Sequence, residues 1–354
     1  MPRQFRHLTY SDRIRIESFR RLNTPVKRIA AELGVSPATV YNEIRRGLYD
    51  SIDPDYRPVR LYSADRAQRR SDFNRQSQGA QLKLANDHDF VRFVEDKILR
   101  DGYSPDAVLG YIRRNDLNFR TTVCKSTLYS YIDKGLFLHV TNKDLPFHGK
   151  RKRKPYRTVR PLRNTGKGKS IEDRPPEVRD RSFFGHWEMD SVIGRQTAGN
   201  TMLVFTERKT NMELIFRAAD KTAMTTQCIL NRMERRLGSR NFRKIFQSIT
   251  CDNGCEFNSD LIETSPITGK KRTDVYFCHP FCSSERGSNE KQNQMIRRKI
   301  QKGTRIESYT DADLKNCCDW LNDYPRKKYN YATSRELFAA ELRKLGISPN
   351  IKFM

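Results

Sequence analysis

Residues 185–194, GHWEMDSVIG, alternate His186, Glu188 and Asp190 with Trp187, Met189 and Ser191. In a strand, alternate side chains share a face, so the first three point the same way. A carboxylate in the middle of so apolar a strand is costly unless a partner or a metal ion offsets its desolvation. Asp190 is therefore the first candidate functional residue. Glu188 competes with it as the strand acid, and His186 is expected close behind the site. Further along, SITCDNGCEF sets Asp252 directly after an apolar stretch. There Asn253-Gly254 makes a sharp turn, so this carboxylate sits at a strand end. In ERGSNEKQNQMIRRKI, Gly287 and Ser288 lead into a helix on which Glu290, Asn293 and Arg297 follow at i, i+3 and i+7, along one face. Glu285 competes with Glu290.

Three acids in such contexts point to a chemistry. Two Mg²⁺ ions held side by side need oxygen ligands, and carboxylates bridge them or bind end-on. One ion activates an attacking hydroxyl, and the other stabilises a leaving 3′ oxygen at phosphorus. An Asp on a central strand, an Asp at the neighbouring strand end and a Glu on an adjacent helix can converge in this way.

The charge names the partner. The chain has 354 residues, with 68 Lys+Arg against 42 Asp+Glu and a net charge of +26. Each phosphate neutralised by such a surface releases counterions, so nucleic acid is the first expectation and an anionic membrane surface the second. Apolar residues make up 36% of the chain, enough to build cores and to exclude disorder throughout. No run approaches the ~18 apolar residues of a membrane span, and the N-terminus lacks a signal peptide's apolar stretch. A cytoplasmic, nucleoid-associated bacterial protein is expected, with its eight cysteines as free thiols.

Four regions follow. Residues 1–60 hold a helix-turn-helix, and 61–146 a helical region with a second one. Residues 147–181 form a basic linker, and 182–354 an α/β domain with a helical tail. Lys150–Ser170 carries ten Lys+Arg and no acid. Pro155, Pro161, Gly166 and Gly168 interrupt any helix there. It reads as a tether whose Lys150, Arg151, Lys152, Arg153 and Lys154 suit a phosphate backbone. Strands are expected over His186–Gly194, Thr201–Thr206, Glu213–Arg217, Phe246–Thr250 and Val275–Cys278. Helices are expected over Thr222–Leu237, Asp311–Leu321 and Ser334–Leu345.

In Pro25–Arg46, PVKRIAAELGVSPATVYNEIRR, Ile29, Ala30 and Leu33 form an apolar face and Gly34 permits a left-handed turn. Ser36 caps a second helix with Pro37 at its first position, and Val40 and Ile44 face inward. Ser36, Pro37, Ala38, Thr39, Tyr41, Asn42, Arg45 and Arg46 are then the groove-reading candidates. The second pair, Ser104–Arg114 and Lys125–Lys134, offers Arg113, Arg114, Lys125 and Thr127. A purely structural helix pair stays equally open there.

Cys251, Cys255, Cys278 and Cys282 form CxxxC…CxxxC, with His279 beside the second pair. Structural zinc favours two residues between paired cysteines, and Asp252 sits inside the first loop. Buried thiols are expected, and zinc is not.

Taken together, these pieces resemble bacterial DDE transposases of the insertion-sequence 30 family. IAAELGVSPATVYNEIRRG, GHWEMDSVIG, DNGCEF and ERGSNEKQNQMIRR stand in the family's order, followed by the tail-like YPRKKYNYATSRELF. SPDAVLGYIRR and STLYSYI resemble its intermediate region, so the resemblance covers most of the chain. It implies an all-α helix-turn-helix front followed by a ribonuclease-H-like α/β catalytic domain with a mixed five-stranded sheet. It also implies Asp190, Asp252 and Glu290 as the catalytic, metal-binding triad, with 61 and 37 residues between them. Two Mg²⁺ ions, with Mn²⁺ as substitute, would be the cofactors. Asn293 and Arg297 become active-site or DNA contacts, and His186 and Glu188 lie behind the ligands. The second gap is slightly longer than usual, with TSPITGKKRTD as a surface insertion. Cys282-Ser283-Ser284 stands where the family commonly has an aromatic residue.

Function follows from the same resemblance. The front would bind the terminal inverted repeats of an insertion sequence, and the core would nick DNA and transfer the freed 3′-hydroxyl to target DNA. Two DNA ends call for a homodimer or larger assembly. The alternative is a catalytically inert, transposase-derived regulator, against which retention of all three acids argues. A retroviral-type integrase is disfavoured, because the front lacks paired histidines and cysteines at zinc spacing.

Overall fold

The computed structural model describes residues 6–77, 83–146, 168–178, 181–195, 199–279, 285 and 287–353. Lys150–Lys154 and Cys282 lie outside the described residues. The chain divides into two compact units, Met1–Leu82 and Lys83–Met354.

In the first unit, α1 (Tyr10–Arg21), α2 (Val26–Leu33) and α3 (Pro37–Gly47) precede a hairpin, β1 (Leu48–Ile52) and β2 (Pro58–Tyr62), and α4 (Ala64–Ser77). Gly34 ends α2 at φ 64°, and the Thr39 amide donates to Ser36 Oγ at 3.2 Å to start α3. Ile16, Ile29, Leu33, Val40 and Ile44 close the core together with Tyr62, Ala64 and Ala67. Those last three residues are why the unit runs past residue 60, where the sequence suggested a boundary. The hairpin escaped notice because neither strand buries a clean alternating face.

The second unit opens with α5 (His88–Leu99), α6 (Pro105–Arg114) and α7 (Lys125–Asp133). Its sheet comprises β3 (Lys169–Ser170), β4 (His186–Val192), β5 (Thr201–Glu207), β6 (Glu213–Ala218), β7 (Ser248–Cys251) and β8 (Asp274–Phe277). The helices around it are α8 (Ala223–Leu237), α9 (Ser239–Ile245), α10 (Ser259–Glu263), α11 (Gly287–Lys299), α12 (Asp311–Asp323) and α13 (Ser334–Lys344).

Strand order is β3-β8-β7-β4-β5-β6. Strands β4, β5 and β6 form an antiparallel meander, and β7, β8 and β3 extend it in parallel from β4. This is the expected ribonuclease-H-like mixed sheet, with six strands where five were expected. The sixth, β3, comes from the stretch assigned to the linker. Two residues have no periodicity to read. Lys169 and Ser170 pair with Tyr276 and Phe277, and Lys169 Nζ bonds Asp274 Oδ1 at 3.0 Å. Beyond β3, Val178 is buried, so 168–178 belongs to the domain and not to a free tether.

Both faces of the sheet are covered, which gives β4 and β5 their nearly continuous burial. Trp187, Met189, Leu203, Phe205 and Ile249 face α8, α9 and α13. Val192, Met202, Val204 and Ile215 face α11 and α12 through Ile296, Ile300, Leu314 and Leu321. Burying Ile296 fully is worth roughly 2 kcal/mol and fixes α11 over β4.

The helices α5–α7 dock on this second layer. Tyr324 enters their core, Trp320 Nε1 donates to Asp101 O at 2.6 Å, and Tyr324 Oη lies 3.1 Å from Ser104 Oγ. Gly110 allows the closest approach: a Cβ there would stand 1.9 Å from the Tyr331 ring. No helix among the described residues is long and apolar enough to cross a membrane.

Candidate active site

Strand β4 presents Glu188 and Asp190 to the α11 side, the face shared with Val192. The parallel register of β7 sets His186 opposite Ser248 and Glu188 opposite Thr250. Carried two residues further, it brings Asp252, one place past the end of β7, beside Asp190. The Asn253-Gly254 turn holds that carboxylate: the Gly254 amide donates to Asp252 Oδ1 at 3.0 Å, and Asn253 Nδ2 donates to Cys278 O at 2.7 Å.

Helix α11 is stitched to β4 at three heights. The Asn289 amide donates to Glu188 Oε2 at 3.1 Å, and Asn293 Nδ2 donates to Asp190 Oδ2 at 2.7 Å. Arg297 Nη2 donates to Ile193 O at 2.6 Å. Glu290, one position past Asn289, is exposed at the edge of that stripe. Among the described residues, no three His, Cys, Asp or Glu side chains are gathered closely enough to hold a metal ion. Asp190 lies within β4 and Asp252 one place past the end of the neighbouring β7, while Glu290 is carried by the helix bonded to Asp190. Carboxylates repel one another, and here Asp190 and Asp252 each take a neutral donor. The donor set fits a hard cation: all oxygen, with Asn293 Oδ1 buried without a hydrogen-bond partner as a further neutral oxygen.

Glu188 is no ligand in this arrangement. It is fully buried and paired with Arg208 Nη1 at 2.7 Å, while Arg208 Nη2 donates to Val178 O at 3.1 Å. Burial lowers the Arg208 pKa and Glu188 pulls it back up. His186 Nδ1 lies 2.8 Å from Ser248 Oγ, across the β4–β7 pair. The sequence reading missed Arg208, Asn289 and Glu213. Burial pushes Glu213 well above the carboxylate range, and Glu188 and Asp190 add to the rise. Thr206 Oγ1 donates to Glu213 Oε2 at 2.8 Å. Only a buried Glu on a strand hinted at it. Among the described cysteines of that set, Cys251 and Cys278 are buried as expected and Cys255 is exposed; Cys251 pairs with Phe277, so Cys278 falls on the opposite face of the sheet.

A helix-turn-helix domain family matches residues 4–47. Across 94% of both proteins, the chain is 32% identical to a Streptococcus salivarius protein named "Probable transposase for insertion-like sequence element IS1161". It is 31% identical to the transposase for insertion sequence element IS4351 of Bacteroides fragilis, over 94% of this chain and 95% of that one. It is also 29% identical to transposase InsI for insertion sequence element IS30C of Escherichia coli, over 94% of this chain and 83% of that one. The chain belongs to the insertion-sequence 30 family of transposases.

In this transposase the residues expected to read DNA lie on α3. Ser36, Pro37, Ala38, Tyr41, Asn42 and Arg45 are exposed, while Thr39 and Arg46 are half-buried. Thr39 Oγ1 lies 2.9 Å from Ser36 Oγ. Arg46 pairs with Glu43, which is itself buried against Arg13 at 2.7 Å. That pairing turns Arg46 toward the core of the unit, leaving Arg45 as the outward arginine. In the second helix pair, Arg113 and Arg114 are exposed and each also contacts the tail. Arg113 stacks over Tyr331 at 5.2 Å, and Arg114 pairs with Glu336 at 2.8 Å. Lys125 is exposed, and Thr127 Oγ1 lies 3.1 Å from Cys124 Sγ.

Proposed function

We propose that this transposase binds the terminal inverted repeats of its element through α3 and cuts and joins DNA at Asp190, Asp252 and Glu290. The observation that carries this reading is the shared register of β4 and β7, with Asn293 of α11 bonded to Asp190. Asp190, Asp252 and Glu290 would hold two divalent cations, Mg²⁺ or Mn²⁺. When bound, these ions supply charge stabilisation at the attacking and leaving oxygens of an in-line displacement. Asn293 orients the Asp190 carboxylate. The buried Glu188, through the Asn289 amide, holds the helix start that carries Glu290. In the first step a water oxygen attacks phosphorus and the 3′ oxygen leaves. In the second, the freed 3′-hydroxyl attacks a target phosphodiester, loses its proton and displaces the target's own 3′ oxygen, which leaves as a hydroxyl, so no covalent protein–DNA bond is required. Handling two ends calls for a homodimer or larger assembly, working at the bacterial nucleoid.

The test is incubation of the full chain with labelled element ends, with and without Mg²⁺, resolving nicked from joined products. Replacing Asp190, Asp252 or Glu290 by Ala should abolish cleavage and spare end binding. Arg45→Ala should weaken end binding and reduce its salt slope by about 1. Cleavage retained by Asp252→Ala would overturn the mechanism.

A further inference from the structure

A cavity of about 300 Å³ opens beside the start of α11, walled by Arg181, Lys291, Lys327 and Lys328. Among the described residues, none of these four cations has a carboxylate partner. The acid in the lining, Asp106, is hydrogen-bonded to the Tyr331 side chain. Burial lowers the Lys328 pKa, the nearness of Arg181, Lys291 and Arg326 lowers it further, and Glu207 offsets part of this. A bound anion would relieve the repulsion among these like charges.

A second feature points the same way. Ser288 is 4% exposed, lines this cavity, and its hydroxyl has no hydrogen-bond partner among the described residues. It stands in the first turn of a helix, where backbone N–H groups and the helix dipole favour negative charge.

We infer that this cavity is a binding site for a single backbone phosphate of the DNA strand being processed. Four cations and a hydroxyl donor suit a tetrahedral phosphodiester oxyanion, and the volume admits the phosphate with part of its sugars. On α11 the residues that line the cavity, Ser288, Lys291, Gln292 and Met295, share one face, while Glu290 and Asn293 lie on the opposite one. The site would therefore grip a backbone phosphate on the far side of α11 from the acids and anchor the strand to the helix that carries Glu290. This inference rests on the proposed cleavage of DNA by the same domain.

The test uses the full chain carrying Lys327→Ala and Lys328→Ala, binding labelled element ends across a salt series. The logarithmic salt slope should fall by about 1 and return in the Lys327→Arg, Lys328→Arg protein. Replacing single phosphates along the element end by methylphosphonate should then find one position that slows wild-type nicking about tenfold and adds nothing in the Ala variant. An unchanged slope, or methylphosphonate effects that multiply with the substitutions at every position, would overturn the site. Absence of nicking by the wild type alongside a reduced slope would instead overturn the cleavage chemistry and leave the phosphate site standing.

Discussion

The side-chain amide of Asn293 donates to Asp190 Oδ2 at 2.7 Å, joining α11 to β4 across 103 positions of chain. The bond holds the strand carboxylate at one orientation and sets the helix bearing Glu290 at a fixed height above it. Groups that orient metal-binding carboxylates commonly contribute 10–100-fold to metal affinity or activity, roughly the loss expected for Asn293→Ala. The Mg²⁺ concentration for half-maximal nicking should rise, with end binding unchanged. An unaltered Mg²⁺ titration would show that Asn293 only packs.

Glu188 and Arg208 form a buried pair beneath that site. Arg208→Met leaves a carboxylate uncompensated and should destabilise the second unit by about 3–5 kcal/mol. The Glu188→Met, Arg208→Met double variant should recover most of this loss, because no charge is then stranded. Denaturant unfolding of the three proteins measures it, and a double variant less stable than Arg208→Met would contradict the account.

Gly110 lies against Tyr331, where the helical region meets the tail. Gly110→Ala should cost about 1–3 kcal/mol by overpacking, despite alanine's better helix propensity. Thermal melting reads the effect. Pairing Gly110→Ala with Tyr331→Ala should remove the clash, so the second substitution should be less damaging in the variant than in the wild type.

His279 supplies a pH dependence. Its Nδ1 lies 2.7 Å from Glu285 and its Nε2 3.3 Å from Glu172. The hydrogen bond to Glu285, reinforced by both carboxylate charges, raises its pKa above the usual 6.5. The charged ring favours the folded state, so its contribution is complete below pH 6.5 and fades as pH climbs through the raised value. The melting-temperature gap between wild type and His279→Asn should therefore be widest in mild acid and narrow toward alkaline pH. A gap that widens with pH would reverse the assignment.

Much of the site was legible because its signals are local. Alternation in GHWEMDSVIG placed Asp190 on one face of a strand, and Asn253-Gly254 placed Asp252 at a strand end. The order Gly34, Ser36, Pro37 marked a turn followed by a capped helix, and all of these stand where expected. The bonds of Arg113 and Arg114 to Tyr331 and Glu336 could not be read, because a basic helix end looks the same whatever it meets. Strand β3 was illegible for the opposite reason: its two residues are strand only through their pairing with β8.

Periodicity, turn chemistry and charge are properties of neighbouring residues, and they sufficed for the helix-turn-helix, the strand acids and the affinity for a polyanion. Folding alone paired Glu188 with Arg208, raised the pKa of Glu213, bonded Asn293 to Asp190 and gathered Lys291, Lys327 and Lys328 around one cavity. Each of these depends on which distant groups share a low-dielectric space, and that is set when the sheet and its covering helices close.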